Sequence, residues 1–335
     1  MKCFAIKSLA LAAVMSIAAL PTDASAQTLR FGHANNSSEI AYDLFQEFAD
    51  RVTKQTNGAV TIRVFPAEQL GKEIDLVKQV KEGALDISAP SMPAASALVP
   101  ALEMASAPFL WNNWTEAEAI ITSAAFDPVF DELRDKHNIV PLTRIWYWGW
   151  RNLTTANREV RKPEDMDGLK VRVPESPVWV EMIRAFGAAP TPIPFGEVYT
   201  ALQQKTVDAQ ENPIPTIYGR KFYEVQGVMA VTQHMLQNNM IVINKDSLAK
   251  LKPEHQILLF QEAARASAMN TYLQQKRENS MLEDIRKSGK TKIVADVDRA
   301  AFAEKAKVAF PKLEERWGKE NLDRLLAAIE AARKR

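Results

Sequence analysis

The segment that decides the fold is RNLTTANREVRKPEDMDGLKVRVPESPVWVEMIRAFGAAPTPIPFGEVYTALQQKTVDAQENP, which runs from Arg151 to Pro213. Its centre, LKVRV, predicts a strand whose valines face one way while Lys170 and Arg172 face the other. A guanidinium held on a strand and directed into a cleft is a good clamp for a carboxylate, because its planar fork donates two parallel hydrogen bonds. An exposed strand arginine without a function is the competing interpretation of Arg172.

Helix and strand patterns alternate through the rest of this segment. Ser176 and Pro177 have the residue types of a helix N-cap and first helical position, and Gly187 ends that helix. A strand, a second helix over 197–205 and the strand TVDAQ follow. An earlier unit has the same order, with strands predicted over 28–34, 59–65 and 84–89 and helices between them. The sequence therefore predicts an α/β fold with largely parallel sheets and two lobes that face a cleft.

A long segment without helix breakers lies towards the C-terminus. Residues 254–288 contain neither glycine nor proline and are rich in Leu, Ala, Gln, Glu and Arg. Read as one helix, this segment would span about 50 Å, which exceeds one small domain. The pattern leaves open two helices with an unmarked break, or one helix that bridges both lobes.

The N-terminus has the pattern of a secretory signal peptide. Lys2 and Lys7 form a basic region, an apolar run follows from Ser8 to Leu20, and Ala24-Ser25-Ala26 resembles a cleavage site. We therefore expect residues 1–26 to be removed near Ala26 and the mature chain to reach a bacterial periplasm.

Charge and cysteine content exclude several classes of protein. Without Lys2, Lys7 and Asp23, the chain has 40 basic and 40 acidic residues, so nothing indicates nucleic acid as a partner. Cys3 is the only cysteine and precedes the predicted cleavage site, so the mature chain has no disulfide and no thiol ligand.

Motifs of catalysis are absent from the sequence. The four histidines are scattered without metal-ligand spacing, and neither a G-x-S-x-G elbow nor a P-loop occurs. The sequence predicts no metal, no cofactor and no enzymatic activity, although absent motifs do not exclude an enzyme.

The segment from Arg151 to Pro213, with GLKVRVP and QENP at its centre and end, resembles the DctP-type substrate-binding proteins of TRAP transporters. The resemblance covers essentially the whole mature chain. It implies a two-lobed periplasmic binding protein with a long interlobe helix, a small organic acid as ligand, and small and large integral membrane subunits as partners. It also implies that lobe 1 comprises 27–148 with 238–277, and lobe 2 comprises 149–237 with 278–335.

The resemblance also assigns ligand contacts. Arg172 matches the carboxylate-binding arginine of the family, and Arg151, Asn212, Phe195 and Glu73 match further positions that reach the ligand. Each has an alternative: an interlobe salt bridge for Arg151, a helix cap for Asn212, a core ring for Phe195, and a solvated helix-start carboxylate for Glu73.

Aromatic residues crowd the approach to Arg151. Strand alternation would place Trp146, Trp148 and Trp150 on one side and Tyr147 on the other. Tryptophans beside a carboxylate clamp favour an aromatic or sugar acid slightly over a C4-dicarboxylate, which Arg151 and Arg172 together would hold at both ends. Core packing is the alternative for these rings.

His33, at the end of the first strand, is a weaker candidate for a ligand contact. Two related functions also stay open at this level: an ABC-type organic-acid binding protein, and a periplasmic ligand sensor.

Overall fold

The computed structural model describes residues 26–334 and contains two β-sheets. The strands are β1 (Gln27–Gly32), β2 (Val60–Phe65), β3 (Ile87–Ser88), β4 (Ile139–Thr143), β5 (Tyr147–Thr155), β6 (Lys170–Val173), β7 (Ala189–Pro192), β8 (Ala209–Pro213), β9 (Val228–Asn238), β10 (Ile241–Asn244) and β11 (Lys292–Val294). Residues 1–25, which make up nearly all of the predicted signal peptide, lie outside the described part of the chain.

Helices surround both sheets. They are α1 (Ile40–Gln55), α2 (Glu73–Glu82), α3 (Met92–Ala95), α4 (Trp114–Ile121), α5 (Asp127–His137), α6 (Pro177–Ala185), α7 (Val198–Gln203), α8 (Ile214–Gly219), α9 (Lys245–Ala249), α10 (Pro253–Lys287), α11 (Arg299–Ala306), α12 (Phe310–Trp317) and α13 (Lys319–Arg333). The α/β class is thus confirmed. Within residues 26–334, no helix has the length and apolar character that crossing a bilayer requires.

Both sheets are mixed. The strands of the two predicted units are parallel to one another, as expected: β1 pairs with β2 and β3, and β6 pairs with β7 and β8. In the first sheet, ordered β2-β1-β3-β10-β4, strand β1 is parallel to its neighbours but β10 is antiparallel to both β3 and β4. In the second sheet, ordered β11-β9-β5-β8-β6-β7, strand β5 is antiparallel to β8 and β9. The antiparallel pairs arise where the chain passes directly from one sheet to the other, from β4 to β5 and from β9 to β10.

The single long helix is confirmed. Helix α10 contains 35 residues and packs against α1 and β4 beside the first sheet, and against β5 and α8 beside the second. At a rise of 1.5 Å per residue it extends about 52 Å, which is enough to contact both sheets. It begins at Pro253, which occupies the first turn, where a missing amide hydrogen costs no helical hydrogen bond.

The start of α6 differs in detail from its prediction. Ser176 does occupy the N-cap position and Pro177 the first helical position, but the Ser176 side chain makes no cap hydrogen bond. Its hydroxyl instead donates to the buried carboxylate of Glu103 at 2.8 Å. Ser96 and Trp317 donate to the same carboxylate, so Glu103 connects three separate segments of the chain.

The apolar core does not divide neatly into two halves. The largest cluster contains Trp114 and Tyr147 together with Val171 and Trp317. Helix α13 packs against α4, and α12 packs against both α6 and residues 100–106. The C-terminal helices therefore contact segments that belong to both predicted lobes, and the lobe boundaries stay a prediction.

The packing of α10 against β5 can be tested through the pH dependence of stability, because it buries Glu278. Its carboxylate accepts a long hydrogen bond (3.4 Å) from the hydroxyl of Tyr147 on β5, and burial raises the pKa of Glu278 to about 7. Because Glu278 binds its proton more tightly in the folded than in the unfolded protein, protonation of Glu278 stabilises the fold. This stabilisation is fully present below the unfolded-state pKa and is lost as the pH rises through about 7.

We therefore expect Glu278→Gln to unfold at a higher temperature than the wild type at pH 8, with a smaller difference at pH 5. Glutamine stays neutral and still accepts from Tyr147, so only the ionisation is removed. Glu283→Gln, on an exposed part of the same helix, is the matched control for loss of a carboxylate. Equal shifts at both pH values, measured by circular dichroism melting, would contradict the buried acid.

Candidate functional site

A cleft of about 680 Å³, partly open to solvent, lies between the two sheets. One wall comes from the segments that follow β1, β2 and β3 and from the start of α2. The other comes from strands β5, β6, β8 and β9 and from the segments that follow β6 and β7. The lining side chains include Asn35, Glu68, Lys72, Glu73, Ser91, Trp148, Arg151, Arg172, Glu175, Phe195, Asn212, Gln237 and Asn239.

Arg172 lies on β6 between the parallel neighbours β7 and β8. Val171 and Val173 point into the core, as the alternation of KVRV predicts, and Arg172 is buried at the wall of the cleft. Its Nε and Nη2 atoms donate to the carbonyl oxygen of Ile193, at 2.9 and 2.6 Å. The side edge of the guanidinium is therefore occupied, and the terminal edge, formed by Nη1 and Nη2, retains donors.

The charge of Arg172 is poorly compensated. Burial lowers its pKa to about 9, and the neighbouring positive charge of Arg151 acts in the same direction. Glu211, Glu73 and Glu175 oppose this effect without reversing it. The guanidinium of Arg172 is still protonated at neutral pH, and an anion in the cleft would offset the repulsion between Arg172 and Arg151.

Arg151 lies on β5 and is engaged by its own sheet. Its Nε and Nη2 atoms pair with the two carboxylate oxygens of Glu211 on the adjacent strand β8, Nη2 being 2.6 Å from Oε1, and Nη1 donates to Gln237. The guanidinium also lies 5.2 Å from the ring of Trp179. Arg151 thus forms a salt bridge inside the second sheet, not one between lobes, while it still lines the cleft.

Glu211 is the centre of a buried network. His234 Nε2 lies 3.0 Å from its Oε2 atom, and His234 Nδ1 lies 2.7 Å from the hydroxyl of Thr232. Burial alone would raise the pKa of Glu211, but the charge of Arg151 and the hydrogen bond to His234 outweigh it and lower that pKa. Burial lowers the pKa of His234. Glu211 is therefore ionised and matches the charge of one of the two arginines.

Asn212 and Phe195 both line the cleft. The Asn212 amide donates to Gln210 at 2.6 Å and does not cap α8, so the structure does not show the alternative role of a helix cap. The Phe195 ring is half-buried, with the Arg220 guanidinium 4.0 Å from its centroid and Trp148 in an edge contact at 6.3 Å. It therefore presents an apolar surface to the cleft.

Glu73 is the first residue of α2 and also lines the cleft. One of its oxygens accepts from the backbone amide of Ser91 at 2.6 Å. Burial raises its pKa, while the hydrogen bonds from Ser91 oppose the rise. The structure therefore does not support the alternative interpretation of Glu73 as a solvated carboxylate at the start of a helix.

The prediction that His33 contacts the ligand does not agree with its position. Its side chain is buried behind the wall, 4.7 Å from the ring of Phe45 and 5.5 Å from that of Phe31, and it does not line the cleft. Burial lowers its pKa to about 3, so the imidazole is neutral. The reason is that aromatic side chains from α1 cover the end of β1.

Trp150 also lies elsewhere than predicted. The pairing of β5 with β9 shifts register between Tyr147 and Gly149, where Gly149 has φ 124°. A Cβ at Gly149 would lie 2.9 Å from that of Pro213, so the bulge requires glycine. The bulge reverses the alternation: Trp148 lines the cleft, whereas Trp150 packs against the larger core cluster.

Several residues of the site were missed. Glu211, the buried partner of Arg151, is adjacent to Asn212 in QENP, and the lining residues Gln237 and Asn239 belong to the run QNN at the buried end of β9. Consecutive amides in such a strand are a usable signal, since buried polar groups need partners. In residues 26–334, no three potential metal-ligating side chains come together.

Comparison with known proteins identifies the family to which the chain belongs. Residues 31–316 match the family described as bacterial extracellular solute-binding protein, family 7 (DctP). The chain belongs to this family. It is 30% identical over 292 residues to the 2,3-diketo-L-gulonate-binding periplasmic protein YiaO of Escherichia coli, covering 87% of this chain and 88% of that protein. The resemblance to TRAP solute-binding proteins is thereby confirmed.

Solved structures confirm the two-lobed architecture. A TRAP periplasmic solute-binding protein from Polaromonas, bound to D-erythronate, superposes with a TM-score of 0.84 at 27% identity, covering 90% of this chain and 98% of that one. The sugar acid binding protein DctPAm from Advenella mimigardefordensis, in complex with galactonate, has a TM-score of 0.86 at 27% identity, covering 91% and 98%. The long helix is consistent with this architecture.

The buried pair of Arg151 and Glu211 gives a direct test of the site's electrostatics. We expect Glu211→Gln to lower the free energy of unfolding by about 3–5 kcal/mol, because it leaves a buried guanidinium without its carboxylate. The measurement is urea unfolding of the ligand-free protein at pH 7.

The matched control is Arg134→Ala, which removes an exposed arginine paired with Asp131 and Asp135. That change should cost less than about 1 kcal/mol. Similar small losses in both variants would show that the Arg151–Glu211 pair is solvated in solution.

Proposed function

We propose that this chain captures a small polyhydroxylated organic acid in the periplasm and delivers it to the small and large membrane subunits of a TRAP transporter. The observation that carries the proposal is the buried guanidinium of Arg172, whose terminal edge remains at the cleft while its side edge is fixed by Ile193. A carboxylate at that edge would form two charge-assisted hydrogen bonds.

The energetic argument rests on burial. Arg172 is 2% exposed and its pKa is lowered to about 9, so its charge is destabilised in the empty cleft. A bound carboxylate would offset this destabilisation, and exclusion of water would strengthen the interaction. In this proposal Arg151 acts mainly by holding Glu211 and by shaping the wall beside Arg172.

The lining favours sugar acids over the other classes. Asn35, Ser91, Asn212, Gln237 and Asn239 offer hydroxyl and amide groups, which suit a ligand that carries several hydroxyls. Trp148 and Phe195 supply a limited apolar surface. A C4-dicarboxylate would need a second free cation, and Arg151 is already neutralised by Glu211. Related structures contain D-erythronate, galactonate and β-D-galacturonate, which agrees with this preference.

Delivery in this proposal depends on closure of two lobes, 27–148 with 238–277 and 149–237 with 278–335. Contacts across the cleft support a closed form: Arg220 pairs with Glu39 at 2.9 Å and Lys72 with Glu197 at 2.7 Å. The closed, ligand-bound form would then be the one that the membrane subunits recognise. No chemical step is proposed.

A ligand panel tests the proposal. Protein purified from the periplasm is melted with D-erythronate, D-galactonate, D-galacturonate, succinate or benzoate. We expect at least one sugar acid to stabilise it, by about 2.7 kcal/mol at a hundred times its Kd, and succinate and benzoate to have little effect. Stabilisation by succinate alone would overturn the sugar-acid assignment, and a response to none of the acids would overturn the proposed function.

Arg172 variants test the clamp. Arg172→Ala should weaken binding of the stabilising sugar acid by about 2–5 kcal/mol in isothermal titration, because the ligand carboxylate loses its charged partner. Arg172→Lys should recover only part, since an ammonium lacks the planar fork. Circular dichroism checks that the variants fold. Wild-type affinity in a folded Arg172→Ala protein would remove Arg172 from the site.

A further inference from the structure

Two buried polar atoms at the cleft have no partner within residues 26–334. They are the amide nitrogen Nδ2 of Asn35 and the carboxylate oxygen Oε1 of Glu68. Asn35 is 3% exposed, the Glu68 side chain is 7% exposed, and both residues line the cleft. Leaving a buried polar group without a hydrogen-bond partner is unfavourable, so a donor and an acceptor at one cavity indicate a ligand group that supplies both.

The backbone holds the two segments side by side. Asn35 follows β1 and Glu68 follows β2, and these strands are parallel neighbours whose carboxyl ends coincide. The amide of Ala67 donates to the carbonyl of Asn35 at 2.9 Å, and that of Glu68 donates to the carbonyl of His33 at 3.1 Å. Ala67 and Glu68 both have positive φ, 52° and 59°, a conformation that residues other than glycine disfavour. The turn is thus fixed by contacts with the first strand.

Only one oxygen of Glu68 is engaged. Its Oε2 atom lies 3.7 Å from Lys72 Nζ, and a Cβ at Gly196, across the cleft, would lie 2.4 Å from the same oxygen. The Oε1 atom has no hydrogen-bond partner among the described residues. Burial raises the pKa of Glu68, while the charges of Lys72 and Arg220 oppose the rise.

The subsite lies on the wall opposite the clamp. Asn35 and Glu68 belong to loops of the first sheet, and Arg172 belongs to a strand of the second. Glu73, which also lines the cleft, is near both walls, since the charge of Glu68 raises its pKa and that of Arg172 lowers it. A ligand whose carboxylate contacts Arg172 would therefore direct its other end towards Asn35 and Glu68.

We propose that Asn35 and Glu68 form a subsite for the hydroxyl-bearing end of the acid, in which Glu68 Oε1 accepts from a hydroxyl and Asn35 Nδ2 donates to one. A hydroxyl satisfies both atoms because it donates and accepts. A second carboxylate would face Glu68 and be rejected. This inference rests on the proposed function and deepens it, since it selects monocarboxylates with a terminal hydroxyl over both deoxy acids and diacids.

The test compares ligands that differ only at the end away from the carboxylate. Affinities are measured by isothermal titration for D-galactonate, its 6-deoxy analogue and galactarate, and for D-erythronate and its 4-deoxy analogue. In the wild type, loss of the terminal hydroxyl should weaken binding about ten- to hundredfold, as expected for unsatisfied buried groups. Galactarate should bind at least as weakly as the deoxy acid.

Variants then assign the effect. Glu68→Gln and Asn35→Ala should lose most of the preference for the hydroxylated acid while the affinity for its deoxy analogue stays within about threefold, and Glu68→Gln should also bind galactarate better than the wild type does. The control is Glu197→Gln, which removes the other partner of Lys72 from outside the lining and should keep the preference unchanged. Circular dichroism checks folding, and Glu68→Asp gives a second variant that keeps the charge.

Two outcomes would overturn the subsite: no wild-type preference for the hydroxylated acid, or equal losses for both members of a pair in the variants, which would show a role in closure only. In either case, binding that still depends on Arg172 would leave the proposed function standing. Absence of binding by both D-galactonate and D-erythronate would overturn the subsite, and the sugar-acid assignment would fall with it only if D-galacturonate did not bind either.

Discussion

Two guanidinium groups are buried beside one another in the second sheet, and only one of them has a complete ionic partner. Arg151 is neutralised by Glu211, whereas Arg172 donates to the neutral carbonyl of Ile193. Burial and the repulsion from Arg151 lower the pKa of Arg172, so the protein holds a cation in a place that disfavours it. In the proposed function, the carboxylate of the ligand compensates this charge.

The strand order makes this arrangement possible. Strand β8 lies between β5 and β6, so Glu211 on β8 reaches Arg151 on one side, and its charge also acts on Arg172 on the other. Strand β7, the outer neighbour of β6, leads directly to Ile193, whose carbonyl orients the guanidinium. Each contact joins residues that are distant in sequence. The site is thus a product of sheet topology and not of a local motif.

Sequence patterns predicted those features that depend on neighbouring residues. The orientation of Arg172 follows from regular alternation in KVRV. The segment without glycine or proline was compatible with one helix or two, and the family resemblance favoured the single helix α10. Features set by distant pairing were not accessible. The bulge at Gly149 moves Trp150 away from the cleft, and rings from α1 bury His33. The partner of Arg151 was missed because the register of β5 on β8 brings Glu211 beside it.

The ion pairs that connect the two lobes contribute too little free energy to hold the lobes closed by themselves. Lys72 and Glu197 are both substantially exposed, and such ion pairs contribute roughly 0–1 kcal/mol. Arg220 and Glu39 are largely buried, so their attraction is offset by the cost of removing both charges from water. Closure without ligand would also surround Arg172 with a dry, unfilled cleft. In the proposed function, an anionic ligand would bind the closed form more tightly than the open form, and this difference in affinity would drive closure.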